Sequence, residues 1–209
     1  MRRNMKPMNK ERGFSMMEVL TVCAIIGVMT TMAVPSVMRS IRSQRLMSGA
    51  QQVAQALQSA KFEAIRTNNR AQIQLDPASN TLRLVTWSGS TSTSATAVAL
   101  PPEVQFSDLP STMTGPSVIT SAASNAGSIT GQESNSRKAV SFPLSSSIRI
   151  ATFTTRGLPG NTDGTNVYPG LVNWVYLTNS LGERMVVTIT SAGSVQTWRW
   201  NASSSQWVN

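Results

Sequence analysis

One apolar segment near the N-terminus constrains this chain more than any other feature. Residues 14–38 contain a single charged side chain, Glu18. As a helix the segment would span about 37 Å, which is enough to cross a hydrocarbon core of about 30 Å. A carboxylate in such a segment costs roughly 2.5–3.5 kcal/mol at the helix centre, and less near an end. Glu18 is therefore interpreted as a functional group.

The residues before this segment form a basic leader. Five basic side chains and one acid, Glu11, precede Phe14, so the leader carries +4 of the net charge of +9 and the rest of the chain carries +5. Because much of the positive charge lies in the leader, the net charge of the chain is weaker evidence for nucleic-acid binding than the total of +9 suggests. A basic leader before an apolar span predicts a cytoplasmic N-terminus, although Arg39, Arg42 and Arg45 beyond the span weaken that bias.

The composition excludes several kinds of chemistry. The chain has no histidine, the commonest general base and metal ligand. Its one cysteine, Cys23, lies in the apolar segment, which excludes an intramolecular disulfide, a thiolate nucleophile and a cysteine-based zinc site. The acids after residue 69 fall in turns and loops and form no close pair. We expect no catalytic residue, no metal and no cofactor, and we expect that the protein is not an enzyme.

A Gly-Phe junction, Gly13-Phe14, separates the leader from the apolar segment, and Glu18 follows four residues later. This combination resembles the N-terminus of type IV prepilins and of the pseudopilins of type II secretion. The resemblance implies that prepilin peptidase cuts after Gly13, that Phe14 is then N-methylated, and that Glu18 guides subunit assembly. It also implies a single-pass inner-membrane protein with a periplasmic head, whose partners are prepilin peptidase and other pilin or pseudopilin subunits.

Three other interpretations of the apolar segment fit less well. A secretory signal peptide has an apolar core of about 7–15 residues and a small-x-small cleavage site, whereas this segment is longer and contains Glu18. A plain single-pass anchor explains the length but neither the Gly-Phe junction nor the acid. A buried helix of a soluble domain would leave the basic leader without a purpose.

Pro35 has two interpretations, and the sequence leaves both open. A proline inside a helix removes one backbone hydrogen bond and kinks or loosens the helix. Many type IV pilins are similar in carrying a proline here, where the helix loosens within the filament. Alternatively, Pro35 ends the membrane helix near the interface.

Residues 39–69 continue as a helix pattern, and we predict an amphipathic periplasmic half of the helix. Small apolar residues recur at steps of three and four and share one face: Ile41, Leu46, Gly49, Ala50, Val53, Leu57, Ala60 and Ala64. We expect the chain's own domain to pack closely on this stripe. Asn68 and Asn69 are predicted to end the helix.

Residues 70–209 read as a β-rich head. Alternating residues predict a hairpin of strands 71–75 and 81–87. Further strands are predicted at 98–100, 104–106, 138–142, 147–153, 171–178, 185–190 and 194–200, with a turn at 161–164. Two low-complexity segments, 88–96 and 110–137, are predicted to be exposed loops, with Val118 and Ile119 pairing at a sheet edge.

Two stretches of the head resemble one branch of the pilin family, the H-type pseudopilins and FimT-like minor pilins. Residues 150–157 form an apolar strand that ends in Phe-x-x-Arg-Gly, and residues 177–195 form a strand, a glycine turn, a strand and Ser-x-Gly. The resemblance implies an α+β fold, in which a long N-terminal helix with a membrane-spanning first half packs against two antiparallel sheets. It also implies a minor structural subunit.

Some FimT-like minor pilins act in DNA uptake through basic residues near the C-terminus. Here Trp198, Arg199 and Trp200 could stack on bases and contact a phosphate. Only one of these residues is a cation, and few phosphate contacts give weak binding. Strand alternation favours a packing role, with Trp198 and Trp200 on one face and Arg199 on the other. DNA is therefore an alternative partner that we do not favour.

Overall fold

The computed structural model describes residues 14–126, 134–160 and 172–209, and it has the predicted α+β fold. The chain divides into two compact units, Met1–Ser40 and Ile41–Asn209. The predicted leader, 1–13, and the predicted turn at 161–164 lie outside the described residues.

Helix α1, Met16–Thr67, contributes one buried face to the second unit. The buried residues follow steps of four and three, as the sequence predicted, and each is at most 1 % exposed: Leu46, Ala50, Val53, Leu57, Ala60 and Ala64. The helix ends with Asn68 in the left-handed conformation (φ 47°). The amides of Asn68 and Asn69 donate to the carbonyls of Ile65 and Ala64, both at 3.2 Å. This pattern satisfies carbonyls that a helix end leaves free, and it confirms the predicted end.

The strands form two antiparallel sheets. In the first sheet the order is β3-β2-β1-β7-β6, with β4 also on β2 and β8 also on β7; in the second it is β12-β11-β10-β9-β5. The strands of the first sheet are β1 Ala71–Asp76, β2 Thr81–Ser88, β3 Thr91–Ser94, β4 Val98–Ala99, β6 Leu144–Ser145, β7 Ile148–Phe153 and β8 Pro159–Gly160. Those of the second are β5 Gln105–Phe106, β9 Val172–Thr178, β10 Arg184–Thr190, β11 Val195–Asn201 and β12 Gln206–Val208.

Both sheets contribute to one core with the buried face of α1. Ile73 and Phe153 of the first sheet belong to the same apolar cluster as Leu177 and Val187 of the second. Each of these side chains is at most 2 % exposed. The helix is therefore the element on which the two sheets meet.

The second sheet also buries side chains on its other face, which we call the aromatic face. Trp174, Tyr176 and Val186 form a separate cluster there with Leu109 and Ile119. Strands β9 and β10 are thus covered on both sides, which explains why consecutive residues at 174–177 and 185–187 are all apolar rather than alternating with polar ones.

The aromatic face corrects the prediction that 110–137 is a long exposed loop. Residues Ser117–Ala126 form helix α2, so Val118 and Ile119 lie in a helix and not at a sheet edge. Ile119 is 0 % exposed because it packs on the aromatic face. A single buried anchor of this kind is not visible in a low-complexity sequence. Residues 127–133 of this segment lie outside the described part of the chain.

Two smaller predictions also differ from the structure. Within 88–96, Thr91–Ser94 form strand β3 with exposed side chains, because the backbone pairs with β2. Within 138–142, the predicted strand is reduced to one isolated bridge between Val140 and Val175. In both places hydrogen bonding between backbones decides whether a strand forms, and the side-chain pattern does not predict it.

Two glycines in turns allow the cost of close packing to be measured separately from the cost of backbone conformation. Gly193 (φ +75°) and Gly182 (φ +76°) have the same left-handed conformation, which glycine adopts freely and which strains a residue with a Cβ atom. A Cβ atom at Gly193 would lie 2.9 Å from the carbonyl oxygen of Gly157, whereas one at Gly182 would meet nothing within 4 Å. We expect Gly182→Ala to lower the free energy of unfolding by about 1–2 kcal/mol. Gly193→Ala should cost at least about 1 kcal/mol more, because an atom must be forced against backbone.

Denaturant unfolding of the two variants beside the unsubstituted protein would measure both costs. Equal losses of stability in the two variants would contradict the close approach of the Gly193 turn to Gly157.

Candidate functional site

Helix α1 begins at the residues that the sequence marks as functional. The Ser15 carbonyl accepts hydrogen bonds from the amides of Glu18 (3.0 Å) and Val19 (3.2 Å), so Ser15 caps the helix and Glu18 lies in its first turn. A carboxylate there is favoured by the helix dipole, by about 0.3–1 kcal/mol at exposed sites. Sequence reasoning missed this Ser-x-x-Glu spacing, which is typical of helix starts. Phe14 precedes the cap and is 81 % exposed, while Gly13 lies outside the described residues.

The apolar surface of α1 that follows Glu18 is uncovered. Large side chains such as Leu20, Ile26 and Met29 are 60 %, 57 % and 67 % exposed. Among the described helices, α1 is the one with a stretch long and apolar enough to cross a membrane, and none of that stretch is buried. A contiguous apolar surface of this size indicates contact with lipid or with other proteins.

Three threonines in this stretch satisfy their hydroxyl groups locally. Thr21, Thr30 and Thr31 donate to the backbone carbonyls of Met17, Ile26 and Val28 at 2.7–2.8 Å. In hydrocarbon a polar group must find its partner within the protein. These side chains therefore fit an apolar environment although they lie on an exposed surface.

Pro35 lies inside α1, which continues to Thr67. The helix itself therefore does not end at Pro35, and both interpretations of this proline stay predictions. Proline has no amide hydrogen, so the carbonyl of Thr31 lacks the donor that an ordinary residue would supply. That missing bond is the physical basis of the helix kink, which stays a prediction.

The C-terminal tryptophans pack on the aromatic face of the second sheet. Trp198 donates from Nε1 to the Thr188 hydroxyl at 3.2 Å. Trp200 meets Trp207 edge-on, with ring centres 5.3 Å apart. Trp207 in turn lies 5.9 Å from the ring of Tyr176. This is the packing arrangement that strand alternation favoured.

Tyr176 is the buried member of this aromatic group and contacts Trp207. Burial raises the pKa of Tyr176, and its phenol donates to the carbonyl of Ser136 at 3.0 Å. Trp207 is fixed in the same way, because its Nε1 donates to the carbonyl of Thr114 at 2.8 Å. Sequence reasoning missed strand β12, which carries Trp207, since three residues after a polar turn give little periodic signal.

Arg199 points to the opposite face, toward α1. Its guanidinium donates to the hydroxyl of Ser43 at 3.1 Å and pairs with the carboxylate of Glu183 at 3.3 Å. The structure therefore places Trp198 and Trp200 on one face of β11 and directs Arg199 to the other, although Arg199 and Trp200 both line a cavity with Glu183. DNA contact by these residues stays an alternative that we do not favour.

The described residues 14–126, 134–160 and 172–209 contain no group of three acidic or cysteine side chains that could hold a metal ion. Glu63 pairs with Arg66, whose hydrogen bond lowers the pKa of the carboxylate. Asp76 accepts from the Ser79 hydroxyl, and this bond lowers the pKa of Asp76. Both acids thus have local structural partners. The absence of a cofactor and of catalysis stays a prediction.

Comparison with known proteins gives one match, and it lies at the start of the chain. Residues 8–34 match the prokaryotic N-terminal methylation motif. The chain carries a type IV prepilin-like signal. The match spans Gly13, Phe14 and Glu18, and it extends through most of the uncovered apolar stretch of α1. No curated protein and no solved structure shows a significant match to the chain.

We predict that Arg199 and its neighbouring tryptophans add no salt-dependent binding of duplex DNA to the full chain in detergent. Arg199 is paired with Glu183, so Arg199→Ala should leave the slope of log K against log salt unchanged. Electrophoretic mobility shifts and anisotropy titrations between 50 and 200 mM salt, roughly the range over which phosphate contacts are lost, measure this.

A gain-of-charge variant provides the control. Ser194→Lys with Gln196→Lys adds two cations near Trp198, one on β11 and one just before it, and it should steepen the slope by up to about 2. A slope that becomes shallower in Arg199→Ala would contradict the prediction and restore DNA as a partner.

Proposed function

We propose that this protein is a minor pilin or pseudopilin, a structural subunit of a type IV pilus or of a type II secretion pseudopilus. One combination of observations supports the proposal. The methylation motif at 8–34 coincides with a helix whose apolar surface the described chain leaves uncovered. A subunit that is first stored in a membrane and then assembled requires two features. These are a signal for processing and a surface that a partner covers.

Lipid and neighbouring subunits cover this apolar surface in turn. Before assembly, the stretch of α1 up to Met38 crosses the inner membrane and the β-rich unit lies in the periplasm. Prepilin peptidase cuts between Gly13 and Phe14 and Phe14 is N-methylated. After assembly, the same stretch packs against the corresponding helices of other subunits. The internal bonds of Thr21, Thr30 and Thr31 support both states, because neither supplies water to a hydroxyl group.

Glu18 pairs with the N-terminal ammonium of a neighbouring Phe14. Cleavage creates that ammonium at the edge of an apolar segment, where an isolated charge is as costly as the carboxylate. Bringing the two charges together relieves the cost of both, and only one register of neighbouring helices allows it. The favourable position of Glu18 in the first helical turn is a smaller effect, so it does not explain an acid in this segment.

The H-type branch is part of the proposal because two stretches of the head resemble it, and these stretches meet in the fold. Gly157 ends the Phe-x-x-Arg-Gly stretch and Gly193 ends the Ser-x-Gly stretch, and the turns of the two approach each other. Lys61 of α1 donates to the carbonyl of Gly193 at 3.0 Å. The two stretches that carry the resemblance therefore form one junction on the helix.

The first experiment is mass spectrometry of filaments sheared from the surface of the source cells. We expect a peptide that begins with N-methylated Phe14, and its presence in sheared filaments supports a type IV pilus. The processed peptide only in the membrane fraction supports a pseudopilus or a subunit at the filament base. A chain that retains residues 1–13 in every fraction would overturn the proposal and favour a membrane-anchored domain that never polymerises.

A substitution at Glu18 tests its role in assembly. We expect Glu18→Ala to be processed normally but to enter filaments at a level at least tenfold lower, because the ammonium of the neighbour then stays unpaired. Quantitative immunoblots of sheared and membrane fractions measure both properties. Glu63→Ala is the matched control: Glu63 is a surface acid of the same helix, paired with Arg66, and its loss should leave incorporation unchanged. Normal incorporation of Glu18→Ala would refute the pairing.

A further inference from the structure

The aromatic face carries an open groove that neither processing nor assembly explains. The groove runs between the segment that leads into α2 and the hairpin of β11 and β12, and its volume is about 560 Å³. This is within the range of small-molecule sites, about 300–1,000 Å³. Its described lining contains three indole rings, and its rim includes hydroxyl and amide groups: Trp198, Trp200 and Trp207, with Thr114, Ser117 and Gln206.

The three indole rings are held in place before any ligand arrives. The Nε1 groups of Trp198 and Trp207 are both bonded within the protein, to Thr188 and to the carbonyl of Thr114. Trp200 is directly opposite Trp207 across the two strands and meets it edge-on at 5.3 Å. A ligand that stacks on these rings does not have to order them, so little of its binding energy is lost.

The lining of the groove is neutral. None of the described side chains that line it is charged, and Arg199, between Trp198 and Trp200 in sequence, is directed to the other face. Nucleic acids and acidic ligands would therefore find no counter-charge here. A purely apolar ligand would leave the rim groups of Thr114, Ser117 and Gln206 without partners.

We propose that this groove binds a neutral polysaccharide chain. A sugar ring has one face of C–H groups, which stacks on the electron-rich face of an indole, and a rim of hydroxyl groups, which bond to the exposed Thr114, Ser117 and Gln206. The groove is open to solvent, which suits an extended chain that enters and leaves it at both ends. The proposal does not depend on the role of the N-terminal segment, because no residue of α1 lines the groove.

Binding is tested with the full chain in a zwitterionic detergent without a sugar headgroup, since a maltoside would compete. The probes are three neutral hexasaccharides: cellohexaose, maltohexaose and chitohexaose. Titration calorimetry and intrinsic tryptophan fluorescence should show saturable binding of at least one of them. Trp200→Ala should weaken that binding at least tenfold, and Gln206→Ala should weaken it severalfold without affecting the packing of the rings.

The chain offers a matched control in Trp87. This half-buried tryptophan lies in β2 of the first sheet with Arg70 stacked 4.5 Å from its ring centre, and it is not part of the groove. Trp87→Ala should leave the affinity within twofold of the unsubstituted value. Thermal melts show that each variant is folded. Failure of all three hexasaccharides to bind, equal losses from Trp200→Ala and Trp87→Ala, or binding of single-stranded DNA in place of the sugars would overturn the proposal.

Discussion

The fold of residues 41–209 depends on how closely its sheets approach the helix. The buried face of α1 is made largely of small side chains, and Ala50, Ala60 and Ala64 are fully buried. Even Gly49 has little space, since a Cβ atom there would lie 3.0 Å from Cγ1 of Val104. Because the side chains on this face of the helix are short, both sheets pack close to the helix, and their side chains form one core with it. A larger residue on this face would separate the helix from both sheets together.

The same helix changes its chemistry along its length, and the change decides what each part can do. From Leu46 to Ala64 most apolar residues lie on one face, which the chain's own sheets cover, while Met47 and Phe62 stay exposed. Between Met16 and Met38 they occur all round the helix, and a single domain cannot cover a helix from every side. The first part therefore presents a surface that lipid or other proteins would cover. The polar residues within it, Glu18 and the threonines, are those whose bonding can be completed inside the helix or by a neighbour.

Sequence reasoning succeeded where the physical cause is local. The helix face, its end at Asn68 and the hairpin of β1 and β2 are confirmed, because periodicity and turn residues report them directly. It failed where contacts between residues far apart in the chain decide which element forms. Helix α2 is held by Ile119, which is buried on the aromatic face, and β12 is held by Trp207, which packs against Trp200 and Tyr176. For the N-terminal segment the sequence predicted the processing signal, and the motif match confirms that signal. The Ser-x-x-Glu spacing was missed, so the place of Glu18 in the first helical turn was recognised only from the backbone hydrogen bonds. The groove could not be predicted, since its two sides are about eighty residues apart in the chain.

In the proposed function, the two faces of the second sheet keep assembly and ligand binding separate. The inner face of this sheet belongs to the core around α1, so changes there alter the helix that is proposed to assemble. Its aromatic face is closed by α2 and by the C-terminal hairpin, and the side chains that line the groove make their bonds to β10 and to the segment before α2. Substitutions at Trp200 or Gln206 can therefore change what the groove binds while the core around α1 keeps its contacts. Arg199 marks the boundary between the two, because it lies on the strand of the groove but is bonded to Ser43 of the helix and to Glu183.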